Sequence, residues 1–368
     1  MWFNANIWLV ELSFKFFTLP LLLLLNCSSS AREKTDEFHI GEPLFSGVGI
    51  HADQDAFYLP LNEDRDYTFG QGIAIGGKWI AHKSNPLRYP LYWIDHFPAK
   101  NFHLDNKSPS FHNFTLALQA YTPDDLDADS IIHNDRPYAS ILFFDVAKKT
   151  ISGNRRLFLR SNFRLGVLGT AAAREIQSIY HRLERARRGT FRPFDPRGWK
   201  YQISNGGELT GLAGWRIGYL PVVPANQNRF QYIPKGEFAI GYQTYAGVSL
   251  ELKFGKNLPP WWLDGFSGVQ EGNVFYKPLR KKISLYLFAK GSYRHIVYDV
   301  LLQGQFKTSP HALDTDQIDR SIDVLEAGIA ARLRHFKTWV SLKRRSSNFS
   351  LQGRNHYWVS VGLDFIVN

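Results

Sequence analysis

The C-terminal segment of the chain alternates in polarity with a period of two residues. Large apolar side chains fall on one face, and small or polar side chains fall on the other, with Ile366 as the exception. The first face holds Tyr357, Val359, Val361, Leu363, Phe365 and Val367, and the second holds Trp358, Ser360, Gly362, Asp364 and Asn368. Such alternation is typical of a β-strand that has two different environments on its two sides. We therefore predict a strand over residues 357–368.

Similar alternation in three further stretches predicts an all-β fold. These stretches are residues 70–77, 114–121 and 157–167. In a soluble sandwich the apolar face is the interior, whereas in a membrane barrel it faces lipid and the interior carries polar groups. The alternation by itself leaves both architectures open.

The N-terminal residues have the pattern of an export signal. An apolar run over residues 16–25 follows Lys15, and the small residues Ser28 to Ala31 come after it. The run is too short for a membrane-spanning helix, which needs about twenty residues. We expect a signal peptide over residues 1–31 and a single domain over residues 32–368. Cys27 directly follows the run, which leaves lipid attachment at this residue open.

Composition narrows the class of protein. The chain has 44 Lys and Arg against 33 Asp and Glu, a formal charge of +11, and a single cysteine, which excludes a disulfide scaffold. Its 28 Phe, 17 Tyr and 10 Trp exclude a disordered chain. A basic exported protein favours an acidic membrane surface or a phosphorylated ligand over nucleic acid. The export signal, the strand over 357–368, and Tyr and Trp near strand ends favour the barrel.

Residues 171–188 interrupt the β pattern. This segment contains neither Gly nor Pro, and Ile176, Ile179, Tyr180 and Leu183 follow helical spacing. Gln177, His181, Glu184 and Arg188 form a polar stripe beside them. We predict a short helix over residues 171–188.

A series of short polar motifs runs along the chain in a fixed order. The motifs are Asp55 with Phe57, DRDYTFG (64–70), NDRPYA (134–139), LGVLG (165–169), EIQSIYHR (175–182), GWKYQ (198–202) and, downstream, Arg294-His295 to LLQGQF (301–306). Their order resembles that of the LpxR-type lipid A 3'-O-deacylases, and the resemblance extends from about residue 45 to the C-terminus.

The resemblance implies an antiparallel transmembrane β-barrel of about twelve strands in the outer membrane, with the helix near the active site. It also implies a calcium-dependent esterase that removes the 3'-linked acyl or acyloxyacyl chain of lipid A. The expected partners are thus lipid A and the outer membrane, and the oligomeric state stays open, with a monomer compatible.

The resemblance also assigns roles to individual residues. His181 matches the general base that activates water, and Gln177, one helical turn earlier, matches a site glutamine. Thr68 matches the site threonine, and Asp55 matches the site aspartate, whose hard oxygens suit Ca²⁺. Gln54 stands where the family has asparagine, so the amide is kept but displaced by one methylene.

The basic residues of the helix are candidates for binding the phosphates of lipid A. Arg182, Arg185 and Arg188 lie in this stretch, and arginine binds phosphate bidentately. A solvated helix face is the competing interpretation of the same residues.

Two alternative functions remain open from the sequence. Arg187 stands where some family members carry an acid, although Glu184 lies nearly on the face of His181. These departures are also compatible with a non-catalytic barrel, either a pore or a scaffold. A lipase with a serine nucleophile is the third possibility, but no serine has the glycine context of a nucleophile elbow.

Overall fold

The computed structural model describes most of the chain beyond residue 41. The described residues are 42–57, 65–102, 104, 108–188, 196–220, 229–263, 275, 283–333, 335–351 and 353–367. The predicted signal peptide and Cys27 lie outside them and stay predictions.

Twelve antiparallel strands form a closed barrel in which each strand pairs with its neighbours in sequence and β1 pairs with β12. The strands are β1 (Gly47–Gln54), β2 (Asp66–Gly76), β3 (Ser110–Thr122), β4 (Ala139–Ile151), β5 (Leu157–Leu168), β6 (Glu208–Tyr219), β7 (Phe230–Gly241), β8 (Gln243–Lys256), β9 (Ser284–Asp299), β10 (Ser321–Leu333), β11 (Phe336–Arg345) and β12 (His356–Ile366). The prediction of an all-β barrel of about twelve strands is confirmed.

In the described part of the chain, three α-helices lie in connections between strands: α1 (Arg88–Asn101) between β2 and β3, α2 (Ala172–Arg188) between β5 and β6, and α3 (Val300–Gln303) between β9 and β10. The helix predicted over 171–188 is therefore confirmed, whereas no sequence pattern predicted α1. Because neighbouring strands are antiparallel, α2 and α3 lie at one end of the barrel, the α2 end. The helix α1, the start of β1 and the end of β12 lie at the other end, the α1 end. Within the described residues, none of the helices is long and apolar enough to cross a membrane.

The polarity of the two faces of the wall distinguishes a membrane barrel from a soluble sandwich. Apolar side chains point outward and are exposed, for example Ile50, which is 62% exposed. Its neighbours His51 and Asp53 point inward and are buried. On β12, Asp364 is likewise buried and Leu363 is exposed, as the alternation predicts. This inverted arrangement is that of a barrel surrounded by lipid.

Two details of the alternation are settled by packing in the lumen. Ile366, the exception on β12, is buried against Ala74 and Phe275. On β9 both faces are partly aromatic in sequence, and the structure turns Tyr286 and Phe288 inward, where they form a cluster with Trp339 and other apolar side chains.

Charged side chains fill much of the lumen and neutralise one another. The carboxylate of Asp145 accepts hydrogen bonds from Asn162 Nδ2 at 2.7 Å, Arg164 Nε at 3.1 Å and Arg160 Nη2 at 3.4 Å. All four residues are buried. Because a buried charge without a partner is costly, this network favours a single arrangement of β4 and β5.

We expect Asp145→Ala to lower the free energy of unfolding by about 3–5 kcal/mol, because it removes the carboxylate that neutralises two buried arginines in the lumen. Urea unfolding of the protein in lipid vesicles, followed by tryptophan fluorescence, measures this change. Asp129→Ala is the control, since Asp129 forms an exposed ion pair with Lys200 and its loss should leave stability unchanged. Equal effects of the two substitutions would contradict the role given to the Asp145 network.

Candidate active site

A β-bulge in β2 sets the orientation of the residues around Thr68. Tyr67 pairs with Tyr121 and Phe69 pairs with Ala120, so two successive residues of β3 face three residues of β2. Thr68 is the extra residue, and the bulge directs Tyr67 into the lumen and Phe69 outward. In the lumen the Tyr67 hydroxyl donates to Asp53 Oδ2 at 2.8 Å.

The bulge also directs the Thr68 side chain to the outward face. Its Oγ1 lies 2.7 Å from Oγ1 of Thr122, and both hydroxyls are buried. Thr122 follows Tyr121, which points into the lumen, so alternation along β3 puts Thr122 on the outer face. A polar pair therefore occupies a position on the wall where apolar residues would otherwise face lipid.

Asp55 lies beside Thr68 where β1 ends. The backbone N–H of Asp55 donates to the Thr68 carbonyl oxygen at 3.2 Å. Its carboxylate is buried and accepts the N–H groups of Ala56, to Oδ1 at 2.7 Å, and Arg65, to Oδ2 at 3.0 Å. These bonds hold the carboxylate at the end of the barrel wall.

Gln54, the last residue of β1, is half-buried and lies on the outward register. It pairs with Phe69 of β2 on one side and with Val359 of β12 on the other. Gln54 shares its face with Ile50, which is exposed to lipid nearer the middle of the strand. The strand ends therefore bring Gln54, Asp55 and Thr68 together at the α2 end.

The helix α2 covers the outer face of the wall next to these residues. The ring of Tyr180 lies 6.1 Å from the ring of Phe69 in an edge-on arrangement, and Gln71 Nε2 donates a hydrogen bond to the Tyr180 hydroxyl. Burial raises the pKa of Tyr180 above its ordinary value, so its hydroxyl stays protonated. Tyr180 immediately precedes His181, and Phe69 immediately follows Thr68. The contact between the two rings therefore puts the segment of α2 that bears His181 beside the segment of β2 that bears Thr68.

An apolar cluster fixes α2 on the wall. The outward side chains of Phe69, Leu118 and Ala120 are buried by Ala173 and Ile176 of the helix. Elsewhere on β3 the outward Leu116 is 48% exposed, which shows where the helix cover stops. Burial of the wall under α2 is thus confined to the α2 end.

Gln177 is buried between α2 and the loop that follows it. The indole Nε1 of Trp199 donates to Gln177 Oε1 at 2.8 Å. Trp199 packs on Tyr138 with a ring separation of 5.0 Å, and a Cβ at Gly198 would come within 2.2 Å of the Tyr138 ring. The GWKYQ and NDRPYA motifs therefore act together to hold the glutamine of the helix.

His181 lies one turn after Gln177 and is half-buried. The stripe formed by Ala173, Gln177 and Tyr180 faces the wall, and helical spacing extends it to His181. The sequence placed Ile179 on the apolar side of the helix, but Ile179 is 52% exposed. Ile176, Gln177 and Tyr180 thus lie on the side of the helix that faces the barrel.

The polar residues of NDRPYA stabilise the α2 end from inside. The carboxylate of Asp135 accepts the N–H groups of Arg136 at 2.6 Å and Asp124 at 2.7 Å, and burial raises its pKa above the ordinary value. The buried guanidinium of Arg136 binds the Asp66 carboxylate and donates to the carbonyl of Leu301 in α3 at 3.3 Å. These contacts are structural and hold the start of β2 just before Thr68.

The predicted phosphate-binding arginines are only partly covered by the structure. Arg182 is exposed on α2. Arg185 and Arg188 belong to the helix backbone, but their side chains lie outside the described part of the structure, as do those of Glu184 and Arg187. A phosphate-binding role for the three arginines stays a prediction.

The described side chains offer a limited set of ligands for a metal ion. Across these residues, no cluster of three or more His, Cys, Asp or Glu side chains could hold one. Asp55 is the predicted calcium ligand, and its two carboxylate oxygens accept the backbone N–H groups of Ala56 and Arg65. Since calcium takes six to eight oxygens, Asp55 fits as one ligand among others.

Comparison with known proteins identifies the family. Residues 17–367 match the family described as Outer membrane protein LpxR. The chain belongs to the LpxR family. It is therefore an outer-membrane protein, and LpxR proteins act on lipid A in that membrane.

Solved structures agree with the fold. LpxR from Salmonella typhimurium is 18% identical, with a TM-score of 0.67 over 88% of this chain and 100% of that chain. An outer membrane channel from Pseudomonas putida F1 is 8% identical, with a TM-score of 0.41 over 92% of this chain and 100% of that chain. At these identities the likeness concerns the fold alone. No curated protein matches the chain.

Sequence reasoning missed the residues that dock α2. In the sequence, Tyr180 is one of the apolar residues of the helix and Gln71 is one residue of a strand. Their hydrogen bond shows that they dock the helix on the wall. Trp199 belonged to a quoted motif, but nothing in the sequence connected it with Gln177.

We expect Trp199→Phe to loosen α2, because Gln177 loses a buried donor worth about 1–2 kcal/mol. Hydrogen–deuterium exchange of residues 172–182 should become faster. Trp261→Phe is a matched control, since it removes the bond from Trp261 Nε1 to the Arg155 carbonyl at the α1 end. Unchanged exchange in Trp199→Phe, or equal acceleration in both variants, would refute this role of Trp199.

Proposed function

We propose that this LpxR-family protein is an esterase that removes the 3'-linked acyl or acyloxyacyl chain of lipid A by attack of water. The observation that carries the proposal is the seam between α2 and the wall. There the helix that bears Gln177 and His181 packs beside the strand ends that bear Thr68 and Asp55.

The position of the seam suits a lipid substrate. It lies on the outward face of the barrel, so a lipid already in the membrane reaches it laterally without passing through the lumen. Arg136 and Leu301 of α3 line the lumen at the same end, on the other side of the wall.

The chemistry assigned to the residues is general-base catalysis. An imidazole nitrogen of His181 takes a proton from a water molecule as its oxygen attacks the acyl carbonyl carbon. The bond between that carbon and the sugar oxygen then breaks, and the sugar oxygen takes up the proton. No residue is acylated in this scheme.

The neighbours of His181 orient the reactants. The bond from Trp199 to Gln177 Oε1 fixes the orientation of the Gln177 amide. The Thr68 hydroxyl is directed to the same outer face by the bulge. Gln54 has a longer side chain than the asparagine of the family and supplies an amide from β1. Arg182, Arg185 and Arg188 are the proposed partners of the lipid phosphates.

Calcium is proposed as the metal, with Asp55 as a ligand. When bound, it would supply positive charge to stabilise the developing oxyanion of the ester. Asp55 is buried, and its backbone hydrogen bonds orient both oxygens, which suits a carboxylate that must hold a cation at a fixed place.

Lipid A from cells that produce the protein tests the function. Wild type should lose the mass of the 3'-linked chain, and His181→Ala should abolish this loss while the protein remains folded in the outer membrane. His82→Ala, which changes an exposed histidine at the α1 end, should behave as wild type. Unchanged lipid A with folded wild type would favour the non-catalytic barrel instead.

The calcium requirement has its own test. We expect a chelator to abolish the activity, and Asp55→Asn to raise the calcium concentration that gives half-maximal activity, because one ligand charge is lost. Asp53→Asn is the matched control, since Asp53 faces the lumen and bonds Tyr67 and Ser360. Its calcium requirement should equal that of wild type. Full activity of wild type in the chelator would exclude calcium.

A further inference from the structure

The helix α1 exposes a row of aromatic and basic side chains. Tyr89, Tyr92 and Trp93 are 53%, 62% and 77% exposed, and His96 and Lys100 continue the row. The spacing i, i+3, i+4, i+7 and i+11 puts all five on one side of the helix. Three large aromatic side chains on one exposed face form more apolar surface than a helix in water usually carries.

The opposite side of α1 is docked firmly on the outer wall. Leu91 is buried against Val146 of β4, and Ala99 is buried against Leu159 of β5. Trp215 Nε1 of β6 donates to the carbonyl oxygen of Ile94 at 2.9 Å. The helix is therefore part of the barrel surface.

A partly buried ion pair strengthens this docking. Lys148 lies on the outward register of β4, and its Nζ is 2.6 Å from Oδ2 of Asp95 in α1. Oδ1 of Asp95 accepts a hydrogen bond from Ser161 of β5 at 2.8 Å. An outward lysine on a barrel wall is destabilising when it faces hydrocarbon. The helix covers and neutralises it.

The contacts of α1 show how the helix runs. Leu91 packs in the same cluster as Phe163 of β5, and Ala99 packs against Leu159, four residues nearer the start of that strand. Since eight helical residues and four strand residues both span about 12–13 Å, the helix runs along β5. Its N-terminal part therefore lies nearer the middle of the wall, and its C-terminal part lies nearer the α1 end.

The height of the apolar wall places α1 in the membrane. On β3, Phe114 is covered in the α1 cluster and Leu118 is covered in the α2 cluster. These residues are four apart, which is roughly 14 Å along a strand. The apolar band of a membrane barrel is about 25 Å tall. The bare wall between the helices is too short, so the exposed face of α1 must extend the band.

We propose that α1 is a lipid-facing helix whose exposed row lies in the phospholipid leaflet at the α1 end. Tyr89, Tyr92 and Trp93, on the part of the helix nearer the middle of the wall, contact the lipid. His96 and Lys100, nearer the α1 end, face the anionic headgroups. Continuity with the lipid-facing wall favours lipid as the partner over a second copy of the chain.

Site-directed spin labelling tests the proposal. In a Cys27→Ser background, Tyr92→Cys or Trp93→Cys is labelled with a nitroxide, and the folded protein is reconstituted in vesicles of phosphatidylethanolamine and phosphatidylglycerol. Collision with O₂, which concentrates in lipid, is compared with collision with a water-soluble nickel chelate. Both positions should favour O₂ over nickel several-fold more than a label in water.

Two reference positions make the result decisive. Leu116→Cys reports the lipid-facing wall, and Asn154→Cys reports the exposed β4–β5 turn at the α1 end. Heat-modifiable gel mobility confirms that each variant is folded. If the O₂-to-nickel collision ratios at positions 92 and 93 equal the ratio at Asn154, the proposal is overturned. It is also overturned if both labels are shielded from both reagents and show spin–spin broadening that disappears on dilution with unlabelled protein, because a second copy of the chain then covers the row.

Discussion

The packing of α2 against the outer face of β2 and β3 is the contact on which the candidate site depends. Without it, Gln71 and the Thr68–Thr122 hydroxyl pair would face hydrocarbon, where polar groups lack partners. The helix supplies the Tyr180 hydroxyl and buries the surrounding apolar side chains. The cover thus satisfies the polar groups and creates a protected seam on the lipid side of the wall.

The interior of the barrel supports this seam from behind. Arg136 links the loop before β4 to Asp66 at the start of β2, and Arg345 of β11 binds the same carboxylate. This pairing precedes the bulge by two residues, so the register that turns Thr68 outward is held by charges on the opposite side of the wall. Some residues of the motifs, such as Thr68, therefore face the seam, and others, such as Asp66 and Arg136, stabilise the wall behind it.

The sequence predicted four of the strands and α2, because each of these segments has a clear period. The alternation over 357–368 and the helical spacing over 171–188 are examples. The alternation alone could not predict which face of a strand is the interior, because the strands of a sandwich and of a barrel alternate in the same way. The helix α1 escaped prediction because Pro90 and Pro98 disfavour a helix locally, and its docking partners, such as Trp215, are distant in sequence. The bond between Trp199 and Gln177 is likewise a tertiary contact.

The two helices on the outer wall give the two ends of the barrel different surfaces along the membrane normal. One end carries the polar seam with His181, and the other carries the aromatic row of α1. A wall anchored in this way presents the seam at a fixed depth to a lipid that diffuses in the bilayer. This geometry agrees with an enzyme that takes its substrate from the membrane.

The most direct test of the central claim is hydrolysis of purified lipid A by the purified protein, with calcium, in water enriched in ¹⁸O. Mass spectrometry would follow both products. The account predicts a released fatty acid that carries ¹⁸O in its carboxyl group, and a lipid A that lacks the 3'-linked chain and is unlabelled. Intact lipid A, or ¹⁸O on the sugar, would contradict it.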